Sequence, residues 1–175
     1  MKEFITGKSV SSNMKDIAKS YLQTYSAGCV CVAVENLDLG INGRTKNGGE
    51  RSCFIGVSGP SGQKLLRNVF NEDRVDNHNH WQREDIITSL QTMAANLVTY
   101  NSKAKGTAIV KQETWSTHNC AESAVALYLY KQGKQLKKYT IASYELKSGS
   151  VGFKPLCQNC SQWVKNHFNM LPGYG

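Results

Sequence analysis

Two short cysteine-bearing segments, Cys120-Ala-Glu122 and Cys157-Gln-Asn-Cys160, restrict this chain more than anything else in it. Each stands at the start of a predicted helix, and 37 positions separate their first cysteines. Cysteines at i and i+3 in a first helical turn can point at one metal ion. A third thiolate from another helix start makes three protein ligands and leaves one tetrahedral position for water. Three thiolates on Zn²⁺ are formally anionic, so the positive ends of two helix dipoles favour them there. Glu122, two residues past Cys120, can stand beside the bound water without being a ligand and exchange a proton with it. The fold has to bring these two helix starts to one point.

Taken alone, Cys157-x-x-Cys160 also fits a redox pair or half of a structural zinc site, and His118 could replace Cys120 as a ligand. The other three cysteines read differently. Cys29, Cys31 and Cys53 sit inside apolar strand-like runs, where free cysteine packs as a small hydrophobe. Six cysteines in 175 residues are too few for a disulfide scaffold. With 40% apolar residues the length fits one domain, 1–175, with a packed core. No apolar run approaches a membrane span or a secretory leader, so a soluble chain is expected.

Apolar spacing predicts an opening helix from Met14 to Tyr25, capped by Ser11, Ser12 or Asn13. Strands are expected at 29–35 and 52–58, joined as a long hairpin through Gly40, Asn42-Gly43 and Asn47-Gly48-Gly49. A short helix carrying Leu65, Leu66, Val69 and Phe70 and a stronger one from Ile86 to Val98 form a helical insertion over about 60–105. Thr107–Val110 is a candidate extra strand. A helix from Asn119 to Lys131 should end at Gly133, followed by a strand over 139–146 and a last helix from Cys157 to Phe168. This order is an α/β layer arrangement, a hairpin-led sheet covered by helices.

Cys120-Ala-Glu122 followed by Cys157-x-x-Cys160 resembles the zinc signature of the cytidine deaminase superfamily, which reads His or Cys, x, Glu and later Pro-Cys-x-x-Cys. The resemblance covers about residues 107–168, and the helix and hairpin over 11–58 match the family's opening order. Three features depart from it. Leu156 separates Pro155 from Cys157, residues 60–105 are inserted, and the chain stops where the family usually has further strands. The resemblance implies cytidine deaminase-like α/β/α layers with a mixed sheet. It implies Zn²⁺ on Cys120, Cys157 and Cys160, a zinc-bound hydroxide as nucleophile, and Glu122 as the proton shuttle that converts cytosine to uracil.

Charge bears on the substrate. Residues 1–99 carry 11 basic and 10 acidic side chains, whereas 100–175 carry 10 basic and 3 acidic, so +7 of the net +8 lies in the C-terminal part, all from Lys. A surface facing phosphates has this asymmetry, and so does a solvated Lys-rich face. Together with the insertion it favours DNA or RNA as substrate over a free nucleoside or nucleotide. A non-catalytic zinc-stabilised nucleic-acid-binding module is the third reading. His118, Trp115 and Phe153 are the candidate substrate contacts, the two aromatic residues by stacking on a base. His78-Asn79-His80 reads as a solvated loop. The small basic chain with its helical elaboration is similar to deaminase domains of bacterial polymorphic toxins, which implies an effector acting in another cell and a neutralising immunity protein as partner.

Overall fold

A computed structural model describes residues 1–5, 9–36, 50–73, 80–101 and 112–174. The chain order is β1 (Lys2–Ile5), α1 (Val10–Tyr25), β2 (Val30–Glu35), β3 (Arg51–Val57), α2 (Gly59–Asp73), α3 (Arg83–Asn101), α4 (Ala121–Lys131), β4 (Tyr139–Lys147), β5 (Ser150–Phe153), α5 (Gln158–Ser161), α6 (Val164–His167) and β6 (Asn169–Met170). Single 3₁₀ turns at Thr117–Asn119 and Leu136–Lys138 lead into α4 and β4. The hairpin tip, His78, Asn79 and the Thr107–Val110 strand candidate lie outside the described residues, while His80 is exposed.

The six strands form one sheet in the order β1-β3-β2-β4-β5, antiparallel throughout, with β6 added parallel to β4. β5 pairs with the Tyr144–Lys147 end of β4 and β6 with Thr140 and Ile141, so the two short strands share one edge. Alternation along the strands sorts the core into two faces. Cys31, Ala33, Phe54, Gly56 and Ser143 share one face, since Cys31 pairs with both Gly56 and Ser143 and Ala33 with Phe54. That face meets α4, through Phe54 against Tyr128 and Ser143 against Glu122. The valines of β2 at 30, 32 and 34, with Tyr144 of β4, occupy the other face, toward the buried Met14, Ala18, Tyr21 and Leu22 of α1. Helices therefore cover both sides of the sheet, the α/β layering expected.

α4 has no polar face, and every residue from Ala121 to Leu129 is buried. A helix that is apolar all round belongs inside, and α4 lies between the sheet and the α2–α3 pair. It ends as expected at Gly133, in the left-handed region at φ 69°, where the amides of Gly133 and Lys134 close on the carbonyls of Tyr130 and Leu129.

Other boundaries differ from the sequence reading. α1 begins at Val10, so Ser11–Asn13 are inside the helix and Ser9 is its N-cap. α2 begins at Gly59, with Pro60 in its first turn, where a missing N–H is harmless. The segment after β4 is a hairpin, turned by Ser148 and Gly149 at φ 49° and 79°, a pair of positive values that matches the twist of the flanking strands. The predicted final helix is two single turns, broken at Trp163 (φ −138°, ψ −31°). A straight helix of that length would carry the chain roughly 18 Å past the sheet. The break instead returns Asn169 and Met170 to the edge of β4 while burying Trp163, Val164 and Phe168.

Candidate metal centre

Cys120 and Cys157 occupy equivalent places as the extended residues capping α4 and α5 (φ −81°, ψ 143° and φ −66°, ψ 166°), and Cys160 lies within α5. Their Sγ atoms lie within 4.8 Å of one another, with Cys120 and Cys157 3.5 Å apart. Sulfurs bound tetrahedrally at about 2.3 Å from one ion would be about 3.8 Å apart, so this set fits a soft divalent metal such as zinc. No other His, Cys, Asp or Glu of the described residues joins the cluster, His118 included, which leaves three protein donors. Hydrogen bonds from the Cys120 and Cys160 thiols and from backbone N–H groups pull the Cys157 thiol well below its ordinary range. The bonds to Cys157 and Cys120 respectively, with burial, hold the Cys120 and Cys160 thiols above it. One thiolate is thus stabilised first, and a cation would be needed to deprotonate the others.

The two halves are positioned by different means. Gly56 on β3 allows α4 to ride directly on the sheet, since a Cβ there would collide with the backbone of Ala121 and Val125. That contact fixes the first turn of α4, and with it Cys120 and Glu122. α5 is held instead through Asn159, which is fully buried. Its Oδ1 accepts from the amides of Gln112 (2.8 Å) and Glu113 (3.3 Å), and its Nδ2 donates to the Trp115 carbonyl (2.9 Å). The Gln158 amide donates to Glu113 Oε1 at 2.9 Å.

Glu122 is only 4% exposed. Ser143 Oγ donates to its Oε1 at 2.7 Å, and the Cys160 thiol donates to its Oε2 at 3.3 Å. Burial raises the pKa of this carboxyl, and the Ser143 bond partly opposes the rise. A carboxyl held in this way can change protonation state nearer neutrality than a solvated glutamate.

The cluster opens on a cavity of about 540 Å³ whose walls include Cys120, Cys157 and Glu122. His118 and Trp115 also line it, as expected for substrate contacts, and Trp115 is 42% exposed. Burial and the nearby Arg83 charge lower the His118 pKa, so its ring is neutral at pH 7. Phe153 is not among the walls: it stands on β5, 43% exposed, against Tyr144 and Tyr174. Arg83 and Lys154, the latter paired with Glu145 at 3.3 Å, are the cationic side chains of the walls among the described residues, and Glu122 is the one acidic side chain among them.

Sequence reading missed Ser143 and Asn159. Ser143 left a signal, a hydroxyl on the buried face of an apolar strand. Asn159 left none, because the two positions inside Cys-x-x-Cys are unrestricted. Comparison with protein-family models, with curated proteins and with solved structures found no match.

Proposed function

We propose that this chain is a zinc-dependent hydrolytic deaminase that converts cytosine to uracil in DNA or RNA. The observation that supports this most is Glu122, held by Ser143 beside a three-thiol cluster that opens on a cavity. Cys120, Cys157 and Cys160 would hold the ion. Zn²⁺ held there would supply a water acidic enough to serve as a nucleophile near neutral pH. Glu122 takes the proton of the attacking water and delivers it to the ring nitrogen of the base, then takes the proton of the newly added hydroxyl and delivers it to the amine, which leaves as ammonia as the C–N bond breaks and the carbonyl forms. Ser143 occupies one carboxyl oxygen, and the other, which accepts the Cys160 thiol, would be free to carry the proton once that thiol gives up its own to bind the ion.

Among the described residues three protein donors meet, which favours this reading over a non-catalytic zinc module that needs a fourth. The cavity is large enough for a nucleoside. The positive walls, the exposed Trp115 ring and the Lys excess of residues 100–175 favour a base presented on a polynucleotide, whose phosphates need cations and whose unstacked base needs an aromatic surface.

The test is incubation of the purified protein with single- and double-stranded DNA and RNA, followed by sequencing for base changes. Glu122→Ala should keep its zinc by metal analysis and lose at least roughly 100-fold in rate, the size of a general acid–base contribution. Deamination by that variant at the parent rate would refute the mechanism.

A further inference from the structure

The two cations of the cavity wall differ in what already holds them. Lys154, just past β5, is fully engaged. Its Nζ donates to the Gly28 carbonyl at 2.9 Å and lies 3.3 Å from Glu145 Oε2, so its charge is matched and it ties the end of β5 to the turn before β2. Arg83, the first residue of α3, is exposed, and no hydrogen bond or ion pair among the described residues holds its side chain. Its chain neighbours Glu84 and Asp85 are acidic, but neither is among the wall residues, and Asp85 Oδ2 accepts from the Gln82 amide at 2.7 Å.

Packing decides where this free charge stands. α3 lies against the 3₁₀ turn at Thr117–Asn119, which brings Arg83 to the part of the wall that holds His118 and the exposed Trp115. Its guanidinium is close enough to His118 for its charge to lower the pKa of that ring. The amine-bearing carbon of cytosine lies across the ring from the nitrogen that carries the sugar. A base that presents that carbon to the thiol cluster therefore turns its sugar and phosphates toward the cavity opening, where an exposed wall residue can meet them. A guanidinium suits that place, because its planar N–H groups can donate two parallel bonds to two phosphate oxygens. Lys154 would have to give up both of its contacts to do the same.

We propose that Arg83, supplied by the inserted helix α3, grips a backbone phosphate beside the base in the cavity, while Lys154 serves the fold. This inference rests on the deaminase reading of the site. It makes the substrate a nucleotide unit within a polynucleotide, since a free nucleoside has nothing for Arg83 to hold. It also gives the insertion a function: the phosphate contact nearest the base comes from α3 and not from the Lys-rich part of the chain that carries most of its net charge.

The experiment uses zinc-loaded protein carrying Glu122→Ala, so that binding is read without turnover. The probe is the tighter-bound of two short single strands, one DNA and one RNA, each with one cytosine, titrated at several salt concentrations. Adding Arg83→Gln should weaken binding about tenfold, the order of one charge-assisted hydrogen bond. It should also flatten the plot of log affinity against log salt by about 0.7, the single-strand increment for one neutralised phosphate. Arg83→Lys should keep the slope and lose part of the affinity, since the charge stays and the fork goes. Lys154→Gln should leave the slope as it is and lower thermal stability instead. Deoxycytidine, which has no phosphate, should bind equally with and without Arg83→Gln, and deoxycytidine monophosphate should bind more weakly than the strand. An unchanged slope in Arg83→Gln, an equal flattening in Lys154→Gln, a matching loss for deoxycytidine, a monophosphate bound as tightly as the strand, or no binding of either strand would each overturn the inference. Deamination by Glu122→Ala itself at the rate of the unmutated protein would instead overturn the reading beneath it.

Discussion

The two helix starts that meet at the thiol cluster are built on opposite principles. α4 runs for 11 residues, is buried on all sides through Leu129, and touches the sheet backbone to backbone at Gly56. α5 is a single turn of 4 residues, and Asn159 and the Gln158 amide tie it to the loop at 112–115. Cys120 and Glu122 are thus placed by the core of the protein. Cys157 and Cys160 are placed by a few polar bonds, to which an ion held by the three cysteines would add. A site assembled this way has one rigid wall, which carries the buried carboxyl of Glu122, and one wall that a metal ion on the three cysteines would complete.

Removing the metal should expose that asymmetry most strongly. Where free zinc is about a thousandfold above its dissociation constant, a chelator should lower unfolding free energy by about 4 kcal/mol. Amide exchange should accelerate in α5 and the 112–115 loop while α4 keeps its protection. Equal loss of protection in both helices would end the comparison. Next in size, Gly56→Ala should cost about 3 kcal/mol in denaturant unfolding, because the atoms it meets are backbone and cannot rotate aside. It should weaken zinc binding as well, by displacing Cys120. Asn159→Ala leaves two amides and a carbonyl without their partner. A loss of about 2 kcal/mol is expected, with zinc affinity reduced roughly tenfold or more. Should Asn159→Ala leave zinc affinity unchanged, its bonds would not be what sets the cysteine pair.

The same asymmetry explains what could be read before any coordinates. α4 was legible because its burial, its start and its glycine stop are all local, and the core strands β2 and β3 because their apolar runs are continuous. The cysteine set was legible because metal chemistry fixes residue type and spacing. The α5 side was not, since its shape depends on partners 44 to 47 positions away, and a Cys-x-x-Cys spacing is equally good at the start of a long helix or of a single turn. β1 escaped for a related reason. It is a 4-residue edge strand with only Ile5 buried, so it carries no alternation to detect. Ser143 and Glu122 are 21 positions apart, and only the register of β4 against β2 turns the hydroxyl toward the carboxyl.

The smallest effect tests how the polar wall is anchored to the rest of the fold. α6, which continues from α5, is joined to α3 through His167, whose Nε2 lies 3.2 Å from the Leu97 carbonyl and donates to it in the neutral ring. Burial, with Lys137 nearby, lowers the His167 pKa from its ordinary 6.5, and the carbonyl bond only partly offsets this. The folded state therefore favours the neutral ring, and the unfolded chain takes up protons first as the medium is acidified. Stability from this group is complete above about pH 6.5 and falls as pH drops through that value toward the lower folded pKa. The side chain is only half-buried, so the loss should stay under about 1 kcal/mol. Denaturant unfolding at pH 7, 6 and 5 should show a shallower decline for His167→Gln than for the parent. His118 titrates in the same direction in both proteins and cancels in the difference. Parallel curves would mean that α6 is held by Trp163 and Phe168 packing alone, and that the second half of the site is anchored to the core more firmly than its polar contacts imply.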